Sequence, residues 1–163
     1  MPVTAVREYL KEFGKDGDIL EFSASTSTVE LAAAEVGTEP ARIAKTLAFY
    51  DPADPERAVL VVAAGDARLH NGSFKRAFGG KARMLGAADV EPLTGHPPGG
   101  VCPFANPEGT RVFLDESLKR FESVWPAAGS ASSAVSMTIT ELERCSRAEG
   151  WVEVTRGWQE PED

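Results

Sequence analysis

The sequence predicts an α/β domain built on a mixed β-sheet, on three observations. Apolar residues recur at helical spacing in some segments and form short strand-like runs in others, alternating irregularly along the chain. Several connections between the strand-like runs are too short for parallel crossovers, which argues against a doubly wound sheet. One run, Ala58 to Ala64, is apolar throughout, as in a strand covered on both faces. A chain of 163 residues with 42% apolar and 26% charged residues has the size and usage of one ordinary globular domain.

Val3, Val6, Leu10 and Phe13 are spaced by three or four, which predicts an amphipathic helix ending at Gly14. Ile19 to Phe22 reads as a short strand. Ser27-Thr28-Val29-Glu30 has the spacing of a capping box, and the Ala-rich helix it opens stops at Gly37. Thr38-Glu39-Pro40 predicts an immediate second helix with Thr38 as cap, delivering Lys45 to the head of a strand from Thr46 to Tyr50. Asp51 to Pro55 is a turn before the apolar strand. Asn71 to Phe78 reads as a helix with Phe74 and Phe78 on one side. Lys81 to Met84 reads as a short strand and Gly86 to Val90 as a short helix. Thr110 to Leu114 is the next strand, and Asp115 caps a short helix. Ser123 to Trp125 and Ala134 to Thr138 are further strands. Thr140-Glu141-Leu142-Glu143 predicts a second capping box on a helix to Ala148, and Trp151 to Val154 closes the sheet.

Composition narrows the function. The two cysteines, Cys102 and Cys145, form no Cys-x-x-Cys pair, and His70 and His96 lie far apart, so no metal or other cofactor is expected. Free thiols fit a reducing, cytoplasmic compartment. Met1 to Glu8 lacks the layout of a signal peptide, and no run approaches the roughly 18 apolar residues of a membrane span. A net charge of −8 argues against a non-specific nucleic-acid binder. Cations nevertheless gather at Arg68, Lys75, Arg76, Lys81 and Arg83. The plain reading is a solvated helix face; the functional one is a local basic patch.

Two stretches carry the chemistry. Lys45, in Ala44-Lys45-Thr46-Leu47-Ala48-Phe49-Tyr50, is a cation at the mouth of an apolar strand, and lysine is rarely buried unpaired. Thr94-Gly95-His96-Pro97-Pro98-Gly99-Gly100-Val101-Cys102-Pro103-Phe104 is a Gly/Pro loop whose main chain can approach a ligand closely. Together with Val61-Val62-Ala63-Ala64-Gly65-Asp66 and Leu114-Asp115-Glu116-Ser117-Leu118 they form an ordered set. The set resembles the YbaK and prolyl-tRNA synthetase editing-domain family of trans-editing aminoacyl-tRNA deacylases, from about Phe22 to Val154.

The resemblance implies a curled, largely antiparallel mixed sheet flanked by helices, with one domain over 1–158 and a tail over 159–163. It implies hydrolysis of the ester of a mischarged tRNA carrying a small amino acid such as Cys, Ala, Ser or Thr. Lys45 matches the lysine on which the family depends, and would hold the phosphate or ribose of the tRNA end or assist the oxyanion. Gly95, Gly99 and Gly100 match the pocket loop, with Gly99 and Gly100 supplying main-chain donors and His96 and Val101 beside them. Gly129 matches a glycine-rich bend, and Phe22, Thr28, Ser130 and Ala134 become the acyl-pocket wall. Lys75, Arg76, Lys81 and Arg83 become the tRNA-facing group. The partner is then the amino-acid-bearing tRNA acceptor end, with room for an aminoacyl-tRNA synthetase as companion. Cys102 stands where many members have Ser, and Ala127 to Ala134 replaces a Ser-Gly-Gly-Lys-Arg-Gly stretch, so the amino acid removed stays open. Two other readings stay open as well: a module that binds aminoacyl-tRNA or a small metabolite without turnover, and a thiol hydrolase using Cys102, six positions after His96.

Overall fold

The computed structural model describes residues 2–23 and 28–159. In chain order its elements are α1 (Pro2–Lys11), β1 (Ile19–Glu21), α2 (Val29–Val36), β2 (Ile43–Asp51), β3 (Asp54–Ala64), β4 (Arg68–Leu69), α3 (Asn71–Phe78), α4 (Ala87–Thr94), β5 (Arg111–Asp115), β6 (Ser123–Pro126), β7 (Ser133–Val135), β8 (Met137–Thr138), α5 (Ile139–Ser146), β9 (Gly150–Val152) and β10 (Thr155–Arg156). Six strands form a curled mixed sheet in the order β8-β6-β2-β3-β5-β9. Its longest pairing is the antiparallel β2–β3 hairpin, from Ala44↔Ala64 to Tyr50↔Ala58. β6–β8 is also antiparallel, whereas β2–β6, β3–β5 and β5–β9 are parallel. Two small antiparallel ribbons, β1–β7 and β4–β10, stand off the main sheet.

β3 is the axis of the core. Every residue from Ala58 to Ala64 has no exposed surface, and successive side chains enter opposite cores. Ala58, Leu60, Val62 and Ala64 face α1 and α5, meeting Val6, Leu10, Leu142 and Cys145. Val59 and Val61 face α3, where Phe49, Phe74 and Val154 pack. The rings of Phe49, Phe74, Phe78 and Phe113 continue in that second core at centroid spacings of 4.6 to 5.0 Å. A third, smaller cluster joins Ala32 and Ala33 of α2 to Ile43, with Trp125 against it. This last cluster carries α2 over the end of β2.

Several sequence expectations change here. No second helix follows α2: Pro40–Arg42 is a single 3₁₀ turn with Glu39, not Thr38, at its N-cap, and β2 begins at Ile43. Ile43 and Ala44 already pair with Trp125 and Pro126, so sheet pairing overrides the local helix signal. Lys45 therefore lies inside the strand rather than at a helix-to-strand joint. Residues 81–84 form no strand; Met84 makes one isolated bridge to Phe49. α4 runs on to Thr94 through Pro92. The stretch from Ala134 to Thr138 divides into β7 and β8, which pair with different partners. The second capping box is Thr138 with Glu141, closed by bonds of 3.1 and 2.9 Å, because β8 stays paired with β6 through Thr138. At α2 the N-cap is Thr28, accepting from the Leu31 N–H; Ser27 lies outside the described residues, as does the tail beyond Gln159.

Phe74 has no exposed surface and stacks on two rings. Phe74→Ala is expected to lower unfolding free energy by about 3–5 kcal/mol, read from denaturant midpoints. A loss under about 1 kcal/mol would mean that the α3 face is not packed as described.

Candidate functional site

β2 pairs with β6 only at Ile43 and Ala44. Further along, on the same side, the 83–85 segment covers β2 at Ala48 and Tyr50. Between these stretches, at Lys45 to Leu47, β2 has no strand partner on that side among the described residues. A cavity of about 180 Å³ opens at this notch, bordered by Ala44, Lys45 and Thr46 of β2, by Thr28, Val29 and Ala32 at α2, by Gly99 and Val101, and by Trp125, Ala127, Ser133 and Ala134. Pockets for drug-sized ligands run from about 300 Å³ upward, so this space suits a small group.

Few polar atoms in the wall are free. Thr28 Oγ1 accepts from the Leu31 N–H. Ser133 Oγ is occupied by the N–H groups of Ala128 and Ser130 and by Ser130 Oγ. Thr46 Oγ1 is buried and has no hydrogen-bond partner among the described residues. A buried hydroxyl without a partner costs about 1–3 kcal/mol.

Lys45 is half-buried, and its Nζ donates to the carbonyl oxygens of Gly65 (3.4 Å) and Ala67. Burial pushes its pKa below the ordinary lysine value, and the Asp66 carboxylate opposes that shift. Asp66 accepts from Arg120 at 2.6 and 3.0 Å, a bidentate pair that holds its own pKa below the usual range. The turn from Gly65 to Ala67 is thus a perch for the ammonium. Gly65 is required in that turn: a Cβ there would come 2.0 Å from the Pro40 carbonyl oxygen.

The Gly/Pro loop reaches the cavity through Gly99 and Val101 but not through the other residues expected of it. Gly100 is buried, and its N–H donates to the Pro97 carbonyl at 3.0 Å, so it is no free donor for a substrate. A Cβ on Gly100 would meet the Ser130 backbone at 2.6 Å, which makes this glycine the point of close approach between the loop and the bend. Gly95 is the left-handed C-cap of α4, beside the Ala105 carbonyl. Phe22 is tied by its N–H to Ser132 and, with Gly129 and Ser130, stands off the wall. Reading from sequence missed Val29, Ala32, Ile43, Ala44, Thr46, Trp125, Ala127 and Ser133. Of these, Thr46 alone carries a local signal, a hydroxyl inside an apolar strand.

His96 is fully buried rather than facing substrate. Its Nε2 lies 2.6 Å from the Phe104 carbonyl and 3.4 Å from Cys102 Sγ, and burial lowers its pKa. Spacing alone could not foresee that contact. Cys102 also has no exposed surface, and burial pushes its thiol up to about 12. A nucleophile must be a thiolate and reachable; Cys102 is neither, which removes the thiol-hydrolase reading. Lys75 and Lys81 border a separate cleft of about 370 Å³ with Asn71, Gly72 and Ala82. Arg76 donates to Ser73 Oγ, and Arg83 lies 5.3 Å from the centre of the Tyr50 ring. Among the described residues no cluster of His, Cys, Asp or Glu could hold a metal, and no helix is long and apolar enough to cross a membrane.

A curled mixed sheet with a small lysine-edged cavity at a strand notch defines the class. The chain belongs to the aminoacyl-tRNA editing-domain family, whose description matches residues 23–145. It is 42% identical to the uncharacterised protein YwhH of Bacillus subtilis (strain 168) over 98% of this chain and the whole of that protein. Its fold matches a crystal structure described as a candidate trans-editing enzyme for prolyl tRNA synthetase, with a TM-score of 0.85, 30% identity and coverage of 96% and 98% of the two chains. It also matches the hypothetical protein APE2540, with a TM-score of 0.81, 31% identity and coverage of 93% and 99%.

The Cys102 environment sets an alkaline limit on stability. In the unfolded chain the thiol ionises from about pH 9, whereas in the fold it keeps its proton to about 12. Unfolding then releases a proton, so Cys102 removes stability as pH rises between these values, by about 1.4 kcal/mol per pH unit. Cys102→Ala is expected to lack this slope in denaturation curves taken from pH 8 to 10.5. Identical slopes in the two proteins would contradict the burial. Native protein at pH 8 is also expected to leave Cys102 unalkylated by iodoacetamide.

Proposed function

We propose that the protein hydrolyses, in trans, the ester between a small amino acid and the 3′ end of a mischarged tRNA in the cytoplasm. The observation that supports this most directly is the shared border of Lys45, Gly99 and Val101 on one cavity too small for a nucleotide. The acyl group enters the notch. The terminal ribose and phosphate stay outside, where the Lys45 ammonium, seated on the Gly65–Ala67 turn, attracts them as a point charge. A water attacks the carbonyl carbon, the bond to the ribose oxygen breaks, and that oxygen takes the water's proton. Free amino acid and intact tRNA leave. Main-chain donors at Gly99 and Val101 stabilise the developing oxyanion, a contribution of about 10²–10³ in rate for one donor. Gly100 acts by spacing, letting the loop close on Ser130.

The body of the tRNA lies against the cationic group of Lys75, Arg76, Lys81 and Arg83, all exposed. The acidic remainder of the protein contributes little phosphate affinity, which leaves a role for a synthetase that presents the tRNA.

The test is a panel of tRNAs charged with Ala, Cys, Ser, Thr and Pro, with ester loss measured over the spontaneous rate. At least one is expected to turn over. Lys45→Ala is expected to lower that rate at least about 100-fold with its thermal midpoint retained. Gly100→Ala is expected to lose activity through the clash with Ser130. Retained full activity in Lys45→Ala, or binding without turnover across the panel, would return the cavity to a binding module. Charge reversal at Lys75 and Lys81 is expected to weaken tRNA binding and flatten its salt dependence; unchanged affinity would make them ordinary surface.

A further inference from the structure

The protein has 17 Lys and Arg against 25 Asp and Glu, so a surface cation should readily find a carboxylate. Several do: Arg7 pairs with Glu21, Arg57 with Asp54 and Arg147 with Glu12. The β4–β10 ribbon is different. Arg68 and Arg156 stand directly opposite each other in its antiparallel register, and both are exposed. Among the described residues neither has a carboxylate within ion-pair distance; Arg156 Nη1 donates to the Thr155 carbonyl at 3.3 Å. Like charges directly opposite in a ladder are destabilising.

Backbone bonds anchor the ribbon in this register. Buried Asp115 accepts from the Val154 N–H at 2.9 Å and from the Thr155 hydroxyl at 2.6 Å. The His70 N–H donates to the Val154 carbonyl at 2.8 Å. The ribbon backbone is therefore pinned with both exposed arginines at one register position. Arg68 also directly follows Ala67, whose carbonyl holds Lys45. Its charge reaches that lysine and adds to burial in lowering the Lys45 pKa.

We infer that Arg68 and Arg156 form a phosphate clamp for the single-stranded 3′ end of an RNA whose last residue sits at the mouth of the Lys45 cavity, an inference that rests on the proposed function. The cavity admits a small group, so the nucleotides behind it must lie outside, and their phosphodiesters are the anions that arrive beside Lys45. Paired guanidinium forks suit phosphate oxygens better than a second lysine would. The clamp also accounts for the repulsion, which a bound phosphate converts into attraction.

The experiment measures fluorescence anisotropy of an uncharged acceptor-stem minihelix with a single-stranded CCA end, across a salt series. The double variant Arg68→Gln, Arg156→Gln is expected to bind about tenfold more weakly at 50 mM salt, with the slope of log K against log salt reduced by about 1.4 for two single-strand phosphates. A blunt minihelix is expected to bind the double variant and wild type alike, and Arg57→Gln is expected to leave both probes unchanged. The thermal midpoint of the double variant is expected to hold or rise, because like charges have been removed. Unchanged affinity and slope on the CCA-ended probe would overturn the clamp, as would an equal loss on the blunt probe. The readout does not involve ester hydrolysis. A wild type that cleaves charged tRNA while the double variant binds normally removes the clamp alone. A wild type that cleaves nothing yet shows the end-specific loss supports the clamp and removes the proposed reaction.

Discussion

The seating of the Lys45 ammonium on the carbonyls of Gly65 and Ala67 is the constraint on which the site depends. A half-buried lysine is unfavourable unless its donors are used, and here main chain supplies the acceptors. The turn that offers them is itself fixed from outside. Asp66 takes both arms of Arg120, and Arg120 lies 5.2 Å from the centre of the Trp158 ring. Trp158 donates to Thr155 Oγ1, which donates to buried Asp115. Asp115 in turn accepts from Ser117, whose Oγ receives the Ala64 N–H at the end of β3. The lysine is therefore tied to three strand ends, so its position is set by the sheet rather than by its own rotamer preferences.

The cavity arises from the same sheet by incompletion. β2 is fully paired with β3 on one side, but on the other it loses β6 after Ala44. A paired neighbour would fill the notch with backbone, and among the described residues none does so until the 83–85 segment returns. α2 roofs the gap because Ala32 and Ala33 pack on Ile43, and alanines allow that helix to sit close. The opposite wall stands at its distance because Gly100 lets its loop touch the Ser130 backbone. Small residues at the contacts on both sides thus keep the space open and narrow.

Elements whose ends are written locally were legible in the sequence. Gly37 stops α2, α3 spans Asn71–Phe78 as its pattern predicts, and the continuous apolar run became the doubly covered β3. The errors lie where a distant partner decides. Pro40 starts a helical turn, yet β6 pulls Ile43 and Ala44 into the sheet. Two Thr-x-x-Glu boxes overlap at Thr138 and Thr140, and pairing through Thr138 selects the first. The site divides in the same way. Lys45 stood out as a cation in an apolar run, whereas Trp125, Ala127 and Ser133 reach the cavity only because β6 and β7 fold back beside β2. Residue type alone suggests Gly100 as a donor, but its use follows from a turn bond to Pro97 that composition does not reveal.

The character of the wall limits how selection among small acyl groups can work. Apolar surfaces at Val29, Ala32, Ile43 and Ala134 reject larger occupants by overlap. They reject smaller ones weakly, since one missing methylene is worth only about 1–3 kcal/mol. The one buried wall hydroxyl left without a partner among the described residues does not face the open space. Thr46 Oγ1 has given up water without gaining a partner in the protein. In a notch with such a wall, size sets an upper bound on what can enter, and apolar contact alone gives little choice among the groups below that bound.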